Sequence, residues 1–269
     1  KLNITQPAVS QHIKYIEDYY GVKLFAMEGK KLYLTAAGKK LYKKLVTMQN
    51  DDKLLRTQLL EEVEGKRNLS FGVTLTAGEY AVGKALAIYL KENPDVNVEM
   101  VVENTHTLMD RIREGSIDFA IVEGHFNKGE FDYSTYSRER YIAVASPYYV
   151  FKKRPGRVED LLGERILLRE KGSGTREIFE KTLESRNYSI EDIENKIEVS
   201  SINVIKHLAM EGIGITFLYE VAVKEELKEG RLIKINLKDF NLIHDFDMIW
   251  NRGSIFTEYY SNMLNYLSR

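Results

Sequence analysis

The chain has 269 residues, 43 % hydrophobic and 29 % charged, with four prolines and no cysteine. These proportions fit a globular chain of about two domains and exclude a fibrous or disordered one, while the missing cysteines exclude disulfides, thiolate zinc sites and cysteine nucleophiles. No run approaches the ~20 apolar residues needed to span a bilayer, and the first residues hold no apolar signal segment, so a cytoplasmic protein with no membrane partner is expected. Charge is unevenly spread: residues 1–44 carry nine Lys/Arg against three Asp/Glu, and the remainder 30 against 37. A basic head on an acidic body points to a negatively charged partner, nucleic acid above all.

The first element is a helix in ITQPAVSQHIKYIEDYY. Thr5 stands where an N-cap belongs, Pro7 suits the first turn, and Val9, Ile13, Ile16 and Tyr20 recur at helical spacing toward a core. Gln6, Pro7, Ser10, Gln11 and Lys14 fall together on the opposite face. Glutamine can pair with two points on a base edge, serine can donate or accept, and lysine neutralises phosphate, which suits a recognition helix. GVKLF then turns the chain, and Glu28-Gly29-Lys30-Lys31 makes a basic hairpin tip before Leu32-Tyr33-Leu34 returns. A helix followed by a basic wing predicts a winged helix-turn-helix, with Lys30 and Lys31 on phosphate and Thr5, Gln6, Pro7, Ser10, Gln11 and Lys14 at the DNA.

In TQPAVSQHIKYIE, GVKLF and LYLTAAG the chain resembles the LysR-type transcriptional regulators, and the resemblance continues to its end. That family's head begins with a helix and most of a second one, so roughly 15 to 20 preceding residues are expected to be missing, enough for a helix and a turn.

From Ala36 a proline-free run of about 30 residues predicts one long helix. Leu41, Leu45, Met48, Asp52, Leu55 and Leu59 alternate spacings of four and three, a coiled-coil-like seam with one polar step that predicts pairing with a second copy. On the resemblance this is the linker helix that dimerises the heads, in a homodimer or homotetramer.

After Gly65-Lys66-Arg67, strand-like LSFGVT, VNVEMVVE and IDFAIVEG alternate with helix-like EYAVGKALAIYLKENP and LMDRIREGS. RILLRE, KIEVSS and IGITFL repeat the plan with TREIFEKTLESRN and NVIKHLAMEG. This predicts an α/β body of two doubly wound lobes. FDMIWN and a helix over 254–267 are expected to return to the first lobe. The expected units are a truncated winged head (1–34), a linker helix (35–64), lobe I (65–146 with 247–269) and lobe II (147–246).

Ligands of open α/β sheets lie beyond the carboxyl ends of the strands, where helix N-termini present N–H groups. Small polar residues cluster there: Thr74, Thr76 and Gly78; Asn104 and Thr105; Gly172, Ser173, Gly174 and Thr175; Ser200, Ser201 and Asn203. Hydroxyls and helix N-termini from both lobes should favour a small anion or carboxylate without a lysine or arginine in contact. The body resembles the effector-binding domain of the same regulators, which shares the periplasmic solute-binding fold. On that resemblance Thr74, Thr76, Asn104, Thr175 and Ser201 match positions lining the inter-lobe cleft. REKGSGTRE is similar to a subset that includes sulfur-assimilation regulators.

Gly78-Glu79-Tyr80-Ala81-Val82-Gly83-Lys84-Ala85 follows a P-loop pattern until Ala85 replaces the magnesium-holding Ser/Thr. The five histidines lack metal-ligand spacing, no Gly-x-Ser-x-Gly elbow occurs, and neither a resident cofactor nor an enzyme is expected. The alternative to a DNA-binding regulator sensing a small anionic metabolite is a solute-binding protein of a transport system. That function would need a signal peptide and would need neither the basic winged head nor the seam.

Overall fold

The computed structural model describes residues 4–65 and 67–268; Lys1 to Asn3, Lys66 and Arg269 lie outside the described residues. Helix α1 (Gln6–Tyr20) carries its proline in the first turn and ends on Gly21 in the left-handed region. Two expectations are corrected here. Thr5 occupies the N-cap position, but its side chain makes no capping bond. Val9, Ile13 and Ile16 are only half-buried and Tyr20 is exposed, whereas the buried residue of this helix is Glu17. The Glu17 carboxylate accepts from the backbone N–H of Leu24 at 2.8 Å and from Lys23 Nζ at 2.6 Å. The bond from Lys23, followed by the Leu24 amide, holds its pKa below the usual carboxylate value, so a charge-assisted clasp joins α1 to the wing.

Strands β1 (Phe25–Glu28) and β2 (Lys31–Leu34) form an antiparallel hairpin across Gly29-Lys30, with Gly29 at φ 64° supplying the left-handed residue of a two-residue loop. Thr35 caps helix α2 (Ala36–Glu64) by accepting from Gly38 N at 3.0 Å, and Gly65 ends it in the left-handed conformation.

One face of α2 docks on the body. Leu54, 5 % exposed, enters the core. Asn50 Nδ2 donates to Ile112 O at 2.9 Å, Thr47 Oγ1 to Arg252 O at 3.3 Å, and Ser254 donates to Asp51. Leu45, Met48, Leu55 and Leu59 are exposed along the other face, with Leu41 half-buried.

The body is built on β3 (Arg67–Val73), β4 (Val96–Val102), β5 (Phe119–Val122), β6 (Phe131–Ala145), β7 (Arg165–Leu168), β8 (Asn195–Glu198), β9 (Ile215–Tyr219), β10 (Ile233–Lys234) and β11 (Leu242–Asn251). The main hydrogen-bonded path runs β4-β3-β5-β11-β6-β9-β7-β8. In lobe I, β3 pairs parallel with β4 and β5; in lobe II, β7 pairs parallel with β8 and β9. The lobes share a pair of antiparallel crossing strands, β6 and β11, whose register shifts at Phe246/Asp247. Sequence reading assigns no element to 131–145, because Asp132 to Arg140 is polar apart from Tyr133 and Tyr136, three apart, and so shows no apolar period of two; the structure has its longest strand there. Buried on both faces, β5 reads as the uniform apolar run Phe-Ala-Ile-Val expected of a central strand.

Helices α3 (Gly83–Glu92), α4 (Thr105–Arg113), α5 (Gly174–Glu184), α6 (Ile202–Met210), α7 (Lys224–Lys228) and α8 (Thr257–Leu267) cover the sheet. Helix α8 starts three residues later than expected and packs on lobe I, where Tyr260 stacks on Trp250 at 5.0 Å between ring centroids. Lobe II centres on Phe179 stacked on Phe217 at 4.2 Å. The P-loop-like stretch is a π-helical turn (Ala77–Val82) running into α3, not a phosphate-cradling loop.

Asp118, just before β5, lies under α2. Burial, opposed by the Lys53 ammonium and a bond from the Ser70 backbone, pushes its pKa from 3.8 up to about 6, a displacement of about 3 kcal/mol. Because the folded state holds this proton more tightly than the unfolded one, the stabilisation is complete below about pH 4 and is lost as pH rises through about 6. Asp118→Asn imitates the protonated form. Unfolding free energies from denaturant titration should therefore match wild type at pH 3 and exceed it by up to about 3 kcal/mol at pH 8; a difference independent of pH would contradict the burial account.

Candidate functional site

The head presents the first surface. Gln6, Pro7, Ser10, Gln11 and Lys14 are exposed on α1, Thr5 is exposed before it, and Lys30 and Lys31 are exposed at the hairpin tip. Gln6 Nε2 donates to Ser10 Oγ at 3.1 Å, so two of the expected base-reading side chains already touch. The base of the wing is closed because Thr35 Oγ1 donates to Lys23 O at 2.7 Å and the Thr35 N–H to Leu24 O at 2.9 Å.

The second surface lies where the carboxyl ends of the strands meet between the lobes. Thr76, following β3, and Thr175, in the first turn of α5, are both about 1 % exposed. Their hydroxyls stand 3.3 Å apart and both donate to Glu123 Oε1, at 3.0 and 2.7 Å. Glu123 follows β5 directly and is buried. Burial pushes its carboxyl pKa up, against the lowering effect of the two hydroxyls and of Arg169. The lobes approach here through bare backbone: a Cβ on Gly124, itself at φ 90°, would lie 2.7 Å from Gly174 Cα, and one on Gly174 would run into the Glu123 carbonyl. His125 N–H adds a bond to Glu177 Oε2 at 3.1 Å.

Beside this contact a cavity of about 260 Å³ opens between Thr105 and His106, at the N-terminus of α4, and Gly172, Ser173 and Arg176, at the N-terminus of α5, with His125 on its wall. Ser173 is buried at the N-cap of α5 with its Oγ lacking any partner. Two helix N-termini with an unused hydroxyl favour an anion in this concavity, whose two lining carboxylates are engaged, Glu177 by Lys181 and the His125 N–H and Glu180 by Arg176. Arg169, following β7, and Arg176 are both buried nearby; Arg169 chelates Glu170, while its remaining terminal nitrogen is buried without a partner. Arg176 thus lines the cavity that sequence reading expects to hold an anion without arginine contact.

The other expected cleft residues are distributed as follows. Thr74 is buried with Oγ1 unpartnered. Asn104 is used as the cap of α4, accepting from Thr107 N at 2.9 Å, and lies next to Gly172. Ser201 caps α6 through Val204 N at 3.4 Å, and Asn203, exposed, accepts from Tyr80 OH at 3.0 Å; neither borders the cavity. Glu123 and Arg169 escaped sequence reading because each was counted into its strand. A charged residue directly after a short apolar parallel strand was the available signal, since that position is the carboxyl end of the strand. Among the described residues no group of three or more His, Asp or Glu side chains could hold a metal ion, and no helix is long and apolar enough to cross a membrane.

Residues 64–269 match the LysR substrate binding domain, and residues 1–39 match the bacterial regulatory helix-turn-helix protein of the lysR family. The chain is 30 % identical to the HTH-type transcriptional regulator CbbR of Rhodospirillum rubrum, covering 94 % of this chain and 83 % of the relative. It is 27 % identical to the HTH-type transcriptional regulator CysL of Bacillus subtilis, over 90 % and 81 %. Among solved structures, the regulatory domain of Synechocystis CcmR, in complex with 2-PG, superposes with a TM-score of 0.66 at 20 % identity, covering 76 % of this chain and 96 % of that one. An OxyR variant of Corynebacterium glutamicum reaches 0.67 at 22 %, covering 100 % and 84 %.

Proposed function

The chain belongs to the LysR family of transcriptional regulators, and from that premise we propose that a small anion bound between its lobes controls how its winged heads hold promoter DNA in the cytoplasm. It is a regulator, not an enzyme, and the match of the head to a DNA-binding family favours this over transport of a solute. The working units of the proposal are the head (1–34), the linker helix (35–64), lobe I (65–146 with 247–269) and lobe II (147–246). One observation carries the anion reading: the N-termini of α4 and α5 converge on a cavity where Ser173 Oγ is buried and unused. The CcmR regulatory domain, in complex with 2-PG, shares the fold and supports a ligand of this kind.

In this reading Asn104, Ser173 and Gly174 hold the anion together with Arg176, while Thr74, Thr76 and Thr175 set the contact between lobes. Ser201 and Asn203 serve the closure through α6 and Tyr80. The stripe of half-buried Leu41 and exposed Leu45, Met48, Leu55 and Leu59 joins two copies into a homodimer, the building block of any tetramer. Identities of 27 to 30 % to CysL and CbbR do not separate a sulfur-assimilation subset from other regulators.

The test combines both surfaces. With a duplex selected from random-sequence DNA as operator, Gln6→Ala or Gln11→Ala should cost about 1 to 3 kcal/mol on the operator and little on unrelated DNA. Lys31→Ala should weaken both and reduce the salt slope by about one. A panel of small carboxylates, phosphate and sulfate should shift operator binding of the wild type but not of Ser173→Ala. Equal losses on both duplexes for Gln6→Ala, or a binding shift that survives Ser173→Ala, would overturn the respective half of the proposal.

A further inference from the structure

A second cavity, of about 330 Å³, lies in the joint where the early turns of α2 leave lobe I, and it shares no residue with the inter-lobe cavity. One wall is α2, with Lys40, Lys43 and Lys44; the other is lobe I, with Arg113 from the end of α4 and Arg252 following β11. Two acids also line it, and both are engaged. Glu130 accepts two bonds from the Arg113 guanidinium, at 2.8 and 3.0 Å, an interaction that holds its pKa low. Asp132 accepts from the Gly253 N–H at 2.7 Å, with Arg252 Nε at 4.0 Å.

The three lysines are left over. At spacings of three and four they share one helix face, where like charges destabilise. Among the described residues none of them forms an ion pair, whereas Lys152, Lys153, Lys181, Lys196 and Lys206 elsewhere in the chain do. Lys43 also helps to hold the Glu130 carboxyl low, yet five cations against two acids leave a net excess of about three positive charges in a concave joint whose volume is that of a small-molecule site.

We propose that this joint is a second ligand site, for a small polyanion carrying at least two negative charges, such as a bisphosphate. Duplex DNA fits less well, because the cations face one another across a cleft instead of lining a convex surface. A ligand seated there would contact both the first turns of α2 and lobe I. It would thereby tie the angle of the head to the body without passing through the inter-lobe cleft.

Inorganic pyrophosphate is the probe, titrated calorimetrically into the whole chain at constant ionic strength. The double variant Lys43→Ala/Lys44→Ala should bind it at least tenfold more weakly. Lys91→Ala/Lys228→Ala removes the same charge from exposed positions elsewhere and should stay within twofold of wild type. Raising the salt concentration severalfold should weaken binding to wild type more than to the Lys43/Lys44 variant. The proposal is overturned by absence of binding at millimolar pyrophosphate. It is equally overturned by affinity that falls with Ser173→Ala and not with the lysine pair, which would place the probe between the lobes. Loss of duplex-DNA binding in the lysine variant with pyrophosphate affinity unchanged would make these lysines DNA-phosphate contacts and also overturn it.

Discussion

Glu123→Gln is expected to tighten binding of a small anion between the lobes by about 30- to 100-fold at pH 8. The proposed anion sits at the N-terminus of α5, beside the turn where Thr175 and Gly174 contact Glu123. Two like charges about 6 to 8 Å apart at an effective dielectric of about 20 repel by roughly 2 to 3 kcal/mol, which converts to the stated factor. Glutamine keeps an amide oxygen to accept from Thr76 and Thr175, so the contact between the lobes survives while the charge does not. The wild-type affinity should also depend on pH with a defined sign. Burial raises the Glu123 pKa, so on acidification the carboxyl is neutralised earlier than an exposed one, and anion affinity should climb toward that of Glu123→Gln. The variant should show no such climb. Calorimetry across pH 5 to 8 measures both effects. If Glu123→Gln instead binds the ligand more weakly, the carboxylate receives a donor from it, and the ligand carries an ammonium or comparable group.

Leu55→Asp should weaken self-association of the chain by three or more orders of magnitude while leaving the body folded. Leu55 is 42 % exposed on the outer face of α2, in the stripe proposed to pair with a second copy. In a dimer each change removes a leucine worth about 1.5 to 3 kcal/mol of burial, and symmetry doubles the loss. The two carboxylates brought face to face add to it. Its neighbour Leu54 is 5 % exposed and belongs to the core beneath α2. Leu54→Ala should accordingly lower the stability of the body by about 2 to 5 kcal/mol and leave the outer seam intact. Sedimentation equilibrium and thermal unfolding on the same two variants separate the roles. A wild-type chain that is monomeric at tens of micromolar, or a Leu55→Asp chain that remains dimeric, would refute the seam.

These two leucines show where sequence reading stops. The alternating spacing of Leu41, Leu45, Met48, Leu55 and Leu59 identified an apolar stripe, and the same run contains Leu54 with nothing local to mark it as different. Only the docking of α2 through Thr47, Asn50, Asp51 and Leu54 decides which stripe meets the body and which stays exposed. The exposed stripe was legible because helical periodicity is a property of contiguous residues.

The same division runs through the whole protein. The exposed polar face of α1, the basic two-residue wing and the strand-helix alternation of the body depend on turn chemistry and side-chain period, which act over a few residues. Glu17 is the counterexample within the head. A glutamate among apolar neighbours is read as solvent-facing, yet it is buried because the turn 22–25 folds back and offers it two backbone donors and Lys23. The clusters of small polar residues at strand ends marked the region of the cleft. They could not say that Asn104 and Ser201 are consumed as caps or that Thr76 and Thr175 close on Glu123. Nor could they show that Arg169 and Arg176 lie beside a cavity lined by an unused Ser173. The 15-residue β6 was invisible for the same reason, since most of its pairing partners lie about 110 residues away in β11. Sequence by itself determined the order and kind of most elements, β6 excepted, because propensity and periodicity are local. The tertiary structure decided which charges are buried and which hydroxyls remain free, because desolvation and hydrogen bonding depend on the groups that the two crossing strands bring together from distant parts of the chain.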